Sequence, residues 1–251
     1  MPNVELIDYT GIGHVDQDYA AKLLVYIKNT RLEQGEETRR NVFSKDIGDL
    51  WQELQYISKT IRSSWEFVDY TFEIRNVTRA FTHQLVRTRT ASFAQQAQRV
   101  VDMSGFNATK PDSVKSRSEA EKLWDGAMEE ITSAYGKMKA LGVPTEDCRG
   151  VLPTNVQTNI ITKMNLRTLA DVVGKRQNLR AQGEYGEVVK GMVKQTLRVH
   201  RWAEPFLYPE RKLTPALDAI FKEINGEGSP FDKPHINAAL KEIDVLKGTW
   251  G

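Results

Sequence analysis

Val68-Asp69-Tyr70-Thr71-Phe72-Glu73-Ile74-Arg75 alternates apolar and polar residues without a break. Successive side chains of an extended chain point to opposite faces, so this stretch is a half-buried strand with Tyr70, Phe72 and Ile74 on its inner side. The sequence upstream keeps a different period. Asp16–Ile27 carries Tyr19, Leu23, Leu24 and Ile27 at helical spacing with Asp16 as its start, and Asp46–Ile61 sets Ile47, Leu50, Trp51, Leu54 and Ile57 on one stripe. Between them, Leu32–Arg40 is polar and reads as a loop. Downstream, Val77–Val86 is helical again and leads into Arg87-Thr88-Arg89-Thr90-Ala91-Ser92-Phe93-Ala94-Gln95-Gln96-Ala97-Gln98-Arg99.

Farther along, Gly105–Lys115 reads as a loop. Ser118 with Glu121 makes a capping box and starts a helix with Leu123, Trp124, Met128, Ile131, Tyr135 and Met138 on one face; Gly142 and Pro144 stop it. Thr154–Met164, β-branched and polar, predicts a strand, Leu166–Lys175 a short helix and Ala181–Ala203 a long one. Beyond Pro209 come two more helices, Pro215–Ile224 and about Ile236–Leu246, split by Gly226, Gly228 and Pro230. Helices with few strands and no βαβ rhythm predict an α+β fold. The expected division is one domain over 1–210 and a helical extension over 211–251.

A chain of 251 residues can bury a sizeable core. Thirty-five Lys and Arg against 33 Asp and Glu leave a net charge of +2, which offers no extended basic face and argues against a general nucleic-acid or membrane-surface binder. No apolar run is long enough to span a bilayer, and the first residues lack the basic and apolar blocks of a secretory signal. The single cysteine, Cys148, excludes an internal disulfide framework and a Cys-rich zinc site, so a cytoplasmic setting is expected.

No Walker loop, GxGxxG turn or GxSxG elbow occurs. His14, His83, His200 and His235 are scattered without metal-ligand spacing, and no metal site is expected. Cys148 has no histidine nearby and takes no catalytic role. The unusual feature is arginine placement. Arg87, Arg89 and Arg99 bracket a stretch of small and amide residues, whose backbone N–H groups lie open beside guanidiniums that grip phosphate. That suits a nucleotide or another phosphate ligand, and a solvated basic helix end reads equally well from composition. Arg176 and Arg180, one helical turn apart, repel each other, which an anionic partner would explain.

The same residues resemble the signature of the flavin-dependent thymidylate synthases: R-H-R, two residues, S, one residue, N-E, one residue, S, one residue, R. Gln84 stands three residues before it, as in that family. Arg149-Gly150-Val151-Leu152-Pro153 is similar to the family's R-x-x-L-P and Asn165-Leu166-Arg167-Thr168-Leu169 to its N-x-R-S-L. Arg176 with Ala181, Gln182 and Glu184 is similar to R-x4-A-Q-x-E. The likeness covers roughly residues 16–205. Thr88 stands in place of the His, Ala94 of the Asn, Gln95 of the Glu and Ala97 of the Ser. Asp171 and Arg180 replace an Asn and a His, and Arg62–Phe67 echoes S-P-F-E-H loosely.

The resemblance implies long helices packed on a small, mostly antiparallel sheet, and a homotetramer with shared sites in a bacterial or phage-infected cell. It implies FAD, with NADPH and methylenetetrahydrofolate as co-substrates, for C5 methylation of a deoxypyrimidine monophosphate. The hydride comes from flavin and the carbon from folate, so no protein nucleophile is required. Gln84, Arg87, Gln95, Gln96, Ala97, Gln98, Arg99 and Arg149 would hold the substrate, with backbone N–H groups of 95–98 on its phosphate and Arg149 reaching a neighbouring subunit's site. Arg176 would lie against the pyrimidine as the catalytic residue, stabilising charge on the ring. Arg87, Arg89, Thr90, Gln95, Asn165, Arg167, Asp171 and Arg180 would contact the flavin. Conversion of dUMP to dTMP is the leading expectation. The changed amides at Gln95 and Gln98 leave dCMP, or a hydroxymethyl product, as an alternative. A non-catalytic nucleotide-binding homologue is a second alternative, motivated by the departures at 88, 94, 95 and 97.

Overall fold

The alternation at Val68–Arg75 lies in the middle of an antiparallel sheet. Its strands are β1 (Asn3–Tyr9), β2 (Asp69–Thr78), β3 (Ser92–Gln95) and β4 (Gln157–Asn165), in the order β1-β2-β4-β3. The computed structural model describes residues 2–29, 35–176 and 183–208, which fall within one compact unit. The helices expected at 215–224 and 236–246, and with them the extension over 211–251, lie outside the described residues. The helices are α1 (Tyr19–Asn29), α2 (Glu36–Phe43), α3 (Ile47–Thr60), α4 (Arg79–Leu85), α5 (Asp112–Lys115), α6 (Ser118–Ala140), α7 (Thr145–Cys148), α8 (Leu166–Arg176), α9 (Gly183–Val199) and α10 (Glu204–Leu207). The α+β reading holds.

Tyr70, Phe72 and Ile74 of β2 are buried, and Thr158, Ile160, Thr162 and Met164 of β4 repeat the pattern. Tyr70, Phe72, Ile74, Ile160 and Met164 share one core with Leu24 of α1, Leu54 and Ile57 of α3, Leu169 of α8, Met192 of α9 and Phe206 of α10. Full burial of each large apolar side chain contributes about 1.5–3 kcal/mol. Gly191 lets α9 lie close on β1: a Cβ there would sit 2.9 Å from Val4 Cγ2.

β2 runs past the predicted strand because it contains a bulge. The register with β4 shifts between Ile74 and Val77, and Asn76 takes a left-handed φ of 57°. Its N–H donates to Asn159 Oδ1 at 3.1 Å. The extra residue reverses the alternation, so Asn76 faces solvent and Val77 turns inward. Consequently α4 starts at Arg79 rather than at Val77, with Thr78 as its cap: Thr78 Oγ1 accepts the Phe81 N–H at 3.0 Å.

Other expectations are corrected. β1, an edge strand with only half-buried inner residues, was not foreseen. The polar segment read as a loop supplies the start of α2, which buries Val42 alone. Ser118 does not cap α6; Arg117 holds that position without a side-chain bond, and Glu121 accepts from Lys110 Nζ at 2.8 Å instead of reaching back. On α6 only Tyr135 is buried, and Leu123 is 77% exposed. The helix stops as expected, with Gly142 at φ 83° and the Val143 N–H returning to the Met138 carbonyl at 3.1 Å. The loop over Gly105–Lys115 contains α5 and a single bridge from Ala108 to Val156.

Candidate active site

Arg79 and His83, one turn apart on α4, face a cleft of about 280 Å³. Gln98, from the turn after β3, and Arg149, Gly150, Leu152, Pro153 and Thr154 complete its lining. A satellite core of Met103, Tyr135, Cys148 and Val156 seats the Arg149 turn, with the Met103 N–H donating to Tyr135 Oη at 3.1 Å. Cys148 is buried there, its Sγ donating to the Val143 carbonyl at 3.4 Å.

The cleft is rich in donors. Burial and the adjacent Arg149 guanidinium hold Arg79 below the usual arginine range. Neither arginine pairs with a carboxylate among the described residues; Arg149 Nε donates to the Glu146 carbonyl at 3.0 Å. Gln98 Nε2 is buried with no hydrogen-bond partner among the described residues. Of the amides expected on phosphate, that of Gln96 donates to the Asn159 carbonyl at 3.1 Å, whereas those of Ala97 and Gln98 meet no acceptor among the described residues. Two of the expected substrate residues, Gln98 and Arg149, thus meet within one chain. Arg99 and Arg87 are exposed, and Gln84 is half-buried on α4.

Gln95 reaches the sheet interior. Its Nε2 donates to Thr82 Oγ1 at 2.9 Å and to Thr158 Oγ1 at 3.4 Å. Thr82 commits its own hydrogen to the Arg79 carbonyl at 3.1 Å, so only an N–H can meet that hydroxyl.

Arg176 lies over the Tyr185 ring at 4.2 Å. Burial raises the Tyr185 pKa, and the Arg176 and Thr88 side chains near its hydroxyl oppose that rise. The signature position occupied by Thr88 thus lies near the tyrosine over which Arg176, at the end of α8, stands.

The expected flavin residues divide into two groups. Asn165 Oδ1 accepts the Thr168 N–H at 2.9 Å, and Thr168 Oγ1 lies 3.0 Å from Thr90 Oγ1, which draws Asn165 and Thr90 together. Arg167 instead pairs with Glu66 at 2.6 Å and Asp171 with Arg62, both partners belonging to the turn Arg62–Phe67. Arg62 also stands over Trp65 at 5.1 Å. Arg89 is exposed, and Arg180 lies outside the described residues. Sequence reasoning missed Arg79, His83, Arg62 and Glu66. The spacing of Arg79 and His83 was the available signal for the first two, and the loose echo of S-P-F-E-H over Arg62–Phe67 was the signal for the others.

A family model described as thymidylate synthase complementing protein matches residues 5–200. The chain is 33% identical over 175 residues to the flavin-dependent thymidylate synthase of Geobacter sulfurreducens, spanning 69% of this chain and 73% of the relative. It is 31% identical over 205 residues to that of Saccharolobus solfataricus, spanning 80% and 74%. With that of Pyrococcus furiosus the identity is 37% over 167 residues, spanning 60% and 68%.

Proposed function

Because this chain belongs to the family of thymidylate synthase complementing proteins, we propose that it is a flavin-dependent enzyme that methylates C5 of dUMP to give dTMP. The observation that carries the reading is the cleft lined by Arg79, Arg149 and Gln98: its lining contains no carboxylate, and the Gln98 amide Nε2 has no partner among the described residues. A phosphate monoester, with acceptors only, matches that inventory.

FAD fits the other residues. Arg87 and Arg89 meet no carboxylate among the described residues, and the Thr90 and Thr168 hydroxyls lie beside Asn165. Cations and hydroxyls together suit a phosphate-bearing cofactor. Bound flavin supplies hydride chemistry fed by NADPH, while methylenetetrahydrofolate supplies the carbon. The chain's part is positioning and charge. Arg176, fixed against Tyr185, holds a positive charge where the pyrimidine ring becomes electron-rich. The reading of dUMP as the substrate rests on the family, whose relatives are thymidylate synthases.

The enzyme is read as a cytoplasmic homotetramer with sites shared between subunits. Apolar surface on and after α6, Leu123 at 77% and Leu141 at 84% exposure, supports association. Among the described residues no helix is long and apolar enough to cross a membrane.

Incubation with dUMP or dCMP, FAD, NADPH and methylenetetrahydrofolate tests the function by product mass. A methylated product from dUMP is expected, and none from dUMP would overturn the reading. Mixing inactive Arg149→Ala with inactive Arg176→Ala tests the sharing, because hybrid oligomers regain intact sites; no recovery would rule it out.

A further inference from the structure

We infer that Tyr185 is a positioning residue whose ring holds the Arg176 guanidinium in place without neutralising it; this rests on the role read for Arg176 above. Tyr185 follows the last of the motif residues, Glu184, so the resemblance gives it no role. The guanidinium stands 4.2 Å from the ring centroid. It pairs with no carboxylate among the described residues, and the acids nearest in sequence are engaged elsewhere: Asp171 with Arg62, and Glu184 through both oxygens with Thr78. A carboxylate partner would offset the positive charge that an electron-rich pyrimidine needs. An aromatic face attracts the same cation and carries no net charge of its own.

The ring is itself held. Tyr185 is 2% exposed, and Phe81 of α4 packs edge-on against it at 5.0 Å. Its hydroxyl lies beside Thr88, whose backbone N–H donates to the Leu85 carbonyl at 3.0 Å. Helix α4 and the turn after it thus set the ring, and the ring sets the guanidinium. The departure at 88 belongs to this arrangement, because threonine brings a hydroxyl to Tyr185 on a shorter side chain than the histidine of the signature.

The test combines a double-mutant cycle with a series at position 185. Removing one cation–π contact predicts a kcat about 3- to 30-fold lower in Tyr185→Leu, with dUMP binding by calorimetry unchanged. Tyr185→Phe keeps most of the rate. In an Arg176→Ala background Tyr185→Leu costs nothing further, because the ring acts through the guanidinium. Phenylalanine analogues with progressively more ring fluorines at 185 lower kcat stepwise, since fluorine weakens the negative face and leaves the shape. Equal losses in both backgrounds, Leu-like turnover in Tyr185→Phe, a loss confined to KM, or wild-type kcat in Tyr185→Leu each overturns the inference. Should Tyr185→Leu fail to fold, the fluorinated series decides, and a flat series overturns it. Wild-type turnover in Arg176→Ala, or no dTMP from the wild type, refutes the reading of the function instead. The same cycle followed by urea denaturation then still tests the hold, and additive losses overturn it.

Discussion

Glu184 grips Thr78 with both carboxylate oxygens, accepting the backbone N–H at 2.9 Å and the hydroxyl at 2.6 Å. Thr78 Oγ1 in turn accepts the Phe81 N–H at 3.0 Å. One side chain at the start of α9 therefore fixes both the end of β2 and the start of the helix that carries Arg79 and His83. In the sequence Glu184 was the last letter of a motif. In the fold it aims the cleft.

Replacing Glu184 by Ala leaves two Thr78 donors without their charged acceptor. Hydrogen bonds to charged groups contribute about 1.5–3 kcal/mol each, so a loss of about 3 kcal/mol in unfolding free energy is expected. Urea denaturation measures it, and an unshifted midpoint would show that the grip is dispensable.

Arg176→Ala should lower kcat about 100- to 1,000-fold while the protein stays folded, the range for removing one transition-state electrostatic contact. Tyr185→Phe keeps the ring beneath Arg176 and removes only the hydroxyl, so its loss should be smaller. Rapid-quench rates and circular dichroism separate these effects. Wild-type turnover in Arg176→Ala would remove the residue from the chemistry.

His200 is buried, its Nδ1 2.9 Å from Tyr70 Oη, and burial lowers its pKa from 6.5 to about 4. The folded protein keeps this imidazole neutral, whereas the unfolded chain binds a proton near its ordinary value. Stability from this group is full above the unfolded pKa and declines as pH falls toward the folded one, by about 3 kcal/mol in total. Melting temperature between those two pH limits should fall more steeply in wild type than in His200→Gln. Parallel curves would contradict the assignment.

Arg167 is paired with Glu66 and half-exposed. If it serves the flavin, Glu66 competes with the cofactor's phosphates. An exposed pair contributes about 0–1 kcal/mol, so Glu66→Gln should tighten FAD binding by up to about fivefold, while Arg167→Ala weakens it. Fluorescence titration reads both. Weaker binding in Glu66→Gln would mean that the pair positions Arg167 rather than competing for it.

Where periodicity was strong, the sequence was legible. Tyr70, Phe72 and Ile74 announced β2, and the stripe from Ile47 to Ile57 announced α3, because burial on one face leaves a regular trace. β1 escaped because an edge strand needs little of that trace, and the capping box at Ser118 failed because Lys110 draws Glu121 away. At the site, the arginine-rich run and Arg149 were visible as composition and motif. Arg79 was not, since its pairing with Arg149 depends on residues 70 positions apart. The ion pairs of Arg62 and Glu66 with α8 are equally nonlocal.

The bulge at Asn76 carries a consequence for how this protein tolerates insertions and deletions. Side chains of a strand alternate between faces, so deleting Asn76 would remove the bulge, turn Val77 to the opposite face and shift Thr78, the cap of α4, by one residue against β4. Arg79 and His83 would leave the cleft although every side chain of the site were still encoded. Residue count at this joint is thus as much a functional property as residue identity, and a one-residue deletion there inflicts damage that no substitution reproduces.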